Sequence, residues 1–384
     1  MEDWRTGGFG LYLHWPFCQA KCPYCDFNSH VVANVDQKAW VDAFLWDLER
    51  IAEQTSDRIL RSVYFGGGTP SLMHASTVDA ILRKVETLWR FENDVEITLE
   101  ANPNSVEAER FRGYRDAGVN RVSLGVQALN DVDLKALGRL HSATEALQAV
   151  ELAQNTFERV SFDLIYARQN QSEKDWVAEL EGALSMGTDH LSFSQLTIED
   201  GTAFSARYAA GGLRGLPDED LSVAMYEATQ ALCEANGLPA YEVSNHARAG
   251  QESRHNQIYW RGGDYAGIGP GAHGRLTLGG TCYATEEIKT PGGWLTTVSR
   301  ETSPELPRLA LSAADRSDEL LMMGLRLREG VDMARIEALR GADLPSNKIN
   351  SIVEQGLMRV ESGQLSATKS GTLVLNAILR ELLT

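Results

Sequence analysis

Cys18, Cys22 and Cys25 lie within eight residues, in the run HWPFCQAKCPYCDF. Their spacing is C-x3-C-x2-C, and no fourth cysteine joins the run. Three thiolates can hold three irons of a 4Fe–4S cluster, whose irons are normally held by cysteine sulfur. The fourth iron is then open to a non-protein ligand. S-adenosylmethionine suits that position, because its amino and carboxylate groups can chelate iron. One electron can then break a carbon–sulfur bond at its sulfonium. Structural zinc is the competing chemistry, since His14 or His30 could complete a four-ligand set. The x3-then-x2 spacing does not form the paired knuckles that zinc usually takes. Five cysteines is an odd count and argues against a disulfide framework. Cys233 and Cys282, far from the triplet, read as packed thiols.

The elements that must position these cysteines are legible as an alternation. Short apolar, β-branched runs fall at 11–15, 62–65, 95–100, 121–127, 159–165 and 190–196, with helical patterns between them. Trp40, Phe44, Leu48 and Ile51, at steps of three and four, mark one face of such a helix. Strand–helix alternation implies parallel strands with helical crossovers. Six units predict a partial (β/α)6 TIM-like barrel, with chemistry at the carboxyl ends of its strands. The cysteine run follows the first strand, as that rule requires. Period-two alternation puts Val95, Ile97 and Leu99 on one face and Glu96, Thr98 and Glu100 on the other. The same argument places Gln127 and Asp163 with Glu100 toward the barrel interior. Those three become candidates to line one cavity or, alternatively, to satisfy one another.

Three regions follow. Residues 1–240 read as the barrel, and 241–312 as a Gly-, His- and Tyr-rich connecting region that breaks the pattern. Residues 313–384 read as a small winged-helix-like module of helices and one hairpin. That module carries nine Lys/Arg against ten Asp/Glu, so its charge argues against DNA. The whole chain of 384 residues has a net charge of −17, which disfavours nucleic acid and simple docking to anionic lipid. No apolar run reaches the roughly 18 residues of a membrane helix. The opening MEDWRTGGFG lacks the basic and apolar regions of a signal peptide. A cytoplasmic protein is expected, with peripheral membrane contact and a homodimer left open.

GGGTP (Gly66–Pro70) directly follows the second strand run, and its glycines let a ligand approach the backbone. With the cysteine triplet in strand order, it resembles the radical S-adenosylmethionine superfamily. Over nearly its whole length the chain resembles the oxygen-independent coproporphyrinogen III dehydrogenase family, through LYLHWPFCQAKCPYC, YFGGGTPSL, LEANP, RVSLGVQALN, LGRLH and SFDLIYA. That resemblance implies that Tyr12 and Tyr24 flank the cluster and cofactor. It implies that Gly67, Gly68 and Thr69 line the methionyl end. Glu100, Gln127, Arg139 and Asp163 fall where the family contacts S-adenosylmethionine. Arg139 can make a bidentate pair with a carboxylate, and acidic or amide groups can hold ribose hydroxyls.

The departures from the dehydrogenase matter as much. That enzyme has a fourth cysteine two residues after the third, where this chain has Phe27, and it has a longer leading segment. Both features resemble the HemW-type haem chaperones, whose HNxxYW motif stands here as His255, Asn256, Tyr259 and Trp260. The resemblance implies haem as a third cofactor and His255 as its iron ligand, with Tyr259 and Trp260 against the porphyrin. A buried histidine among core aromatics is the alternative, and His14, His246 and His273 are rival ligands. The expected function is to hold haem and pass it to an apo-haemoprotein, plausibly of the respiratory chain. Its rivals are oxidative decarboxylation of coproporphyrinogen III, radical opening of the haem ring, and a plain interaction protein with structural zinc.

Overall fold

In the computed structural model, which describes residues 3–383, the first strand β1 (Phe9–Trp15) is buried along almost its whole length. That is the pattern of a parallel strand covered on both faces. Five more parallel strands follow in order: β2 (Ile59–Gly67), β3 (Arg90–Ala101), β4 (Arg121–Gln127), β5 (Arg159–Tyr166) and β6 (His190–Gln195). All six expected strand positions are met. Residues 241–312, read as a connecting region, instead extend the same sheet at both edges. β7 (Asn245–Ala247) pairs antiparallel with β6. β8 (Asp264–Ile268) pairs parallel with the free side of β1. β9 (His273–Leu278), β10 (Thr281–Glu286) and β11 (Leu309–Ala310) continue antiparallel beyond it. The result is one eleven-stranded sheet, in the order β11-β10-β9-β8-β1-β2-β3-β4-β5-β6-β7.

Helix α1 (Gln37–Thr55) starts where the Asp36 carboxylate accepts the Ala39 N–H at 3.2 Å. Its buried stripe of Trp40, Phe44, Leu48 and Ile51 covers the sheet, as the periodicity predicts. Helix α2 (Glu219–Ala235) begins on the Asp218 side chain. Helix α3 (Pro291–Val298) lies in the segment that the sequence pattern left unassigned. Its fully buried Trp294 stacks on Trp40 with centroids 5.5 Å apart and planes at 5°, and tilts against Phe44 at 5.3 Å. At the amino ends of the strands, buried Glu96 accepts Arg159 at 2.7 Å and Arg121 at 3.5 Å.

Residues from Ala313 onward form a second core around Leu320, Ile336, Ile349, Ile352, Leu365 and Leu379. Three helices (Ala313–Gly324, Met333–Arg340, Ser346–Glu354) precede a hairpin of Met358–Glu361 with Gln364–Ala367, and two short helices close the chain. Ion pairs tie this unit to the sheet: Arg275–Glu319 at 2.9 Å, Arg335–Asp3 at 2.5 Å and Arg328–Glu234 at 3.2 Å.

If α3 is integral to the barrel, Trp294→Ala lowers the stability of the whole barrel by about 3–5 kcal/mol, the usual cost of emptying a buried aromatic site. Urea unfolding followed by far-UV circular dichroism would read it. An unchanged midpoint would mean that α3 packs as an independent flap.

Candidate functional site

The cysteine loop begins on the two-residue strand Phe17–Cys18, which pairs with His30–Val31. A turn, closed by the Cys25 N–H donating to the Cys22 carbonyl at 3.1 Å, brings those two residues together. All three thiols line one pocket of about 190 Å³ at the carboxyl ends of the strands. The glycine loop forms its wall. Gly68 N–H donates to the Trp15 carbonyl at 2.7 Å, and Thr69 N–H donates to the Phe17 carbonyl at 2.8 Å. A Cβ on Gly68 would stand 2.7 Å from the Phe17 carbonyl oxygen, so only glycine permits this approach. Gly67 adopts φ of +108°, the left-handed region that glycine tolerates.

Tyr24, Gly67, Gly68, Thr69, Glu100, Gln127, Arg139 and Asp163 all line this pocket with the cysteines. Strand parity aims Glu100 and Asp163 inward. Gln127 arrives differently, with φ of +72° after a register shift between Leu124 and Gln127. Strained non-glycine backbone of this kind concentrates at ligand sites. Arg139 comes from a turn and crosses the pocket wall. Its Nη2 donates to Asn102 Oδ1 at 2.7 Å and to the Gly125 carbonyl at 2.8 Å, and its Nη1 lies 3.4 Å from Cys22 Sγ. Its Nε is buried without a partner among the described residues.

Burial pushes the Glu100 carboxyl up to about 7, helped by Asp163 and opposed by the Tyr64 hydroxyl and Gly67 N–H. Burial lifts Asp163 to about 6 despite Arg121 and Arg139. It also raises the Cys18 and Cys25 thiols, whose thiolate forms a bound metal would favour. Three thiols lining one pocket, an orphaned guanidinium N–H and a glycine cradle fit an iron–sulfur cluster, which is larger than a single ion, with S-adenosylmethionine. Cys18, Cys22 and Cys25 would hold the cluster. The glycine loop, Glu100, Gln127, Arg139 and Asp163 would hold the cofactor. Asn102, Ser123 and His141 also line the pocket and were missed. LEANP and strand parity held the signals for Asn102 and Ser123.

Two expected residues lie elsewhere. Tyr12 is not in the pocket lining; its hydroxyl meets His14 Nδ1 at 3.1 Å and its ring faces Tyr64 and His255. His255 is buried beneath the pocket, one ring away from it: it stacks on Tyr64, whose hydroxyl donates to the pocket-lining Glu100 at 2.7 Å. Its Nδ1 hydrogen-bonds Ser62 Oγ at 2.7 Å and its Nε2 hydrogen-bonds the Tyr259 hydroxyl. Its ring stacks on Tyr64 at 4.7 Å, and burial lowers its pKa to about 3. In this structure the expected haem ligand is a buried histidine whose two ring nitrogens both meet hydroxyl groups. Among its rivals, His14 bonds Tyr12 and the Asn28 carbonyl, His246 is buried, and His273 is exposed near Glu286.

Comparison with known proteins agrees with this geometry. The Radical SAM superfamily matches residues 12–181, and the HemN C-terminal domain matches residues 311–374. The protein named Heme chaperone HemW of Haemophilus influenzae is 37% identical, over 97% of this chain and 97% of its own length. That of Escherichia coli is 36% identical, over 96% of each. The chain belongs to the HemW family of radical S-adenosylmethionine proteins. A bovine relative, Radical S-adenosyl methionine domain-containing protein 1, mitochondrial, is 37% identical over 97% of this chain and 87% of its own length. The solved structure of Escherichia coli coproporphyrinogen III oxidase (HemN) superposes with a TM-score of 0.81 at 21% identity, covering 98% of this chain and 90% of that one, and so shares the fold. Membership of the superfamily implies a 4Fe–4S cluster and S-adenosylmethionine. No described helix is long and apolar enough to cross a membrane.

Glu100 and Asp163 sit above their ordinary values, so the unliganded folded protein holds protons that the unfolded chain releases. Their contribution to stability is complete below about pH 4 and is lost as pH rises through their folded values of about 7 and 6. Glu100→Gln removes the Glu100 share. Relative to wild type, its melting temperature should climb between about pH 5 and 8. A difference that stays flat across that range would refute a neutral, desolvated Glu100.

Proposed function

We propose that this protein is a haem chaperone, which binds haem and passes it to an apo-haemoprotein from a radical S-adenosylmethionine scaffold. The reading is carried by the likeness, over nearly the full chain, to relatives named heme chaperones. A cluster with S-adenosylmethionine supplies one-electron cleavage of a carbon–sulfur bond. The chain's own residues would do the rest at that site. Arg139 would orient the methionyl carboxylate, while Glu100 and Asp163 would hold hydroxyls and keep or release a proton. Phe27 supports carrier over dehydrogenase. It lines the pocket mouth and is 61% exposed, where the dehydrogenase pattern has a cysteine. A phenyl ring offers neither a thiol proton nor a metal ligand. We place the protein in the cytoplasm, although its bovine relative is named mitochondrial.

The test uses anaerobic, cluster-loaded protein with S-adenosylmethionine and a strong reductant. Haem should bind with a Soret band and move to an added apo-cytochrome, while coproporphyrinogen III stays unchanged. Formation of protoporphyrinogen would replace the chaperone reading with the dehydrogenase.

A further inference from the structure

A cavity of about 380 Å³, larger than the cluster pocket, lies between the barrel and the C-terminal unit and shares no lining residue with that pocket. Its volume is within the roughly 300–1,000 Å³ of small-molecule sites. One wall is α2, which contributes Tyr226, Gln230 and Ala231. The other wall is the turn after Ala313–Gly324, together with the C-terminal hairpin. Leu325, Leu327, Val243 and Leu373 make much of the lining apolar, and Val243 and Leu373 are left exposed in this structure.

The charges there are unusual for a chain of net charge −17. Arg326, Arg328, Arg359 and Lys369 line the cavity, facing Glu227, Glu234 and Glu242. Glu234 is consumed by Arg328 and Lys369, at 3.2 Å each. Burial raises the pKa of Glu242, which favours its neutral form. Arg326 donates only to the Met322 carbonyl, and Arg359 to Ser366 Oγ at 2.9 Å. Among the described residues, neither guanidinium has a carboxylate in hydrogen-bonding contact, and Arg326 feels Glu242 only through space. Two open guanidiniums at the edge of an apolar cavity suit a flat apolar molecule with two carboxylates, because Arg pairs with carboxylate bidentately. The aromatic ring of Tyr226 offers a face for such a molecule.

We propose that haem, the cargo of the preceding reading, docks in this cleft with its two propionates on Arg326 and Arg359. This rests on the chaperone reading and moves the cargo away from both His255 and the cluster pocket. It also makes the junction between the two units the gate through which haem leaves.

The test is a titration of full-length, cluster-loaded protein with ferric haem and with haem dimethyl ester, followed by Soret absorbance. The proteins are wild type and Arg326→Gln/Arg359→Gln. Wild type should bind haem at least about tenfold more tightly than the double variant does, the scale of a lost charge-assisted hydrogen bond. The ester should bind both proteins with the weaker affinity. Haem binding equally to both proteins overturns this site and leaves the chaperone reading standing. Haem binding to neither overturns both. If the double variant loses its cluster absorbance, the wild-type arm decides: equal affinity for haem and ester overturns the propionate contacts.

Discussion

Everything at the cofactor site depends on two backbone hydrogen bonds, from Gly68 to Trp15 and from Thr69 to Phe17. They join the ends of two neighbouring parallel strands, so the cysteine loop and the glycine loop are fixed relative to each other. The register below them, Leu13 with Phe65 and Trp15 with Gly67, carries that alignment down into the core. A side chain at position 68 would meet the Phe17 backbone and push the loops apart. Thr69 benefits from the same closeness, because its hydroxyl then reaches Cys18 Sγ at 3.4 Å. The site is thus a property of strand ends held in register, and the thiols share one pocket because the backbone brings their loop to it.

The same strand shows how local charge decides protonation. Glu96 and Glu100 both lie on β3, four residues apart and on one face. Burial pushes both carboxyls up. At Glu96, Arg121 and Arg159 outweigh that effect and hold the carboxylate ionised. At Glu100 the nearest charged neighbour is another acid, Asp163, so the shift stays upward. One end of the barrel is locked by ion pairs, and the other keeps acids that titrate near neutrality. A buried pair of this second kind is costly to an empty protein and is relieved by ligands that supply donors or positive charge. S-adenosylmethionine carries both.

The six barrel strands and most pocket-lining candidates were legible because period-two alternation and the glycine and cysteine motifs are local signals. Glu100 and Asp163 line the pocket as parity implied, whereas Gln127 reaches it through a register shift that parity does not show. β8 to β11 were not legible. They are short, and one of them pairs with β1 across some 250 residues of sequence, so their apolar pattern completes itself only in the sheet. Tyr12 and His255 lie outside the pocket lining, in the aromatic layer beneath it. A motif fixes residue type and spacing, but not which layer of the fold a side chain occupies. His255 helps fill the barrel through Tyr64 and Tyr259, and the bland reading of a core imidazole describes its present surroundings.

Charge counted over a whole module hides what the fold does with it. The C-terminal segment has nine basic and ten acidic residues and reads as featureless. Folding sorts them. Asp332 caps a helix, Glu319 pairs with Arg275, and Glu329 pairs with Arg261. These acids are therefore used at the edges of the module. Among the described residues Arg326 and Arg359 face the barrel without a carboxylate in hydrogen-bonding contact, Arg326 feeling Glu242 only through space, while Glu234 of the barrel takes both Arg328 and Lys369. An ion pair at so exposed an edge contributes little to stability. It can open at small cost, which is what a cleft needs if it is to admit and release a large flat ligand without unfolding either wall.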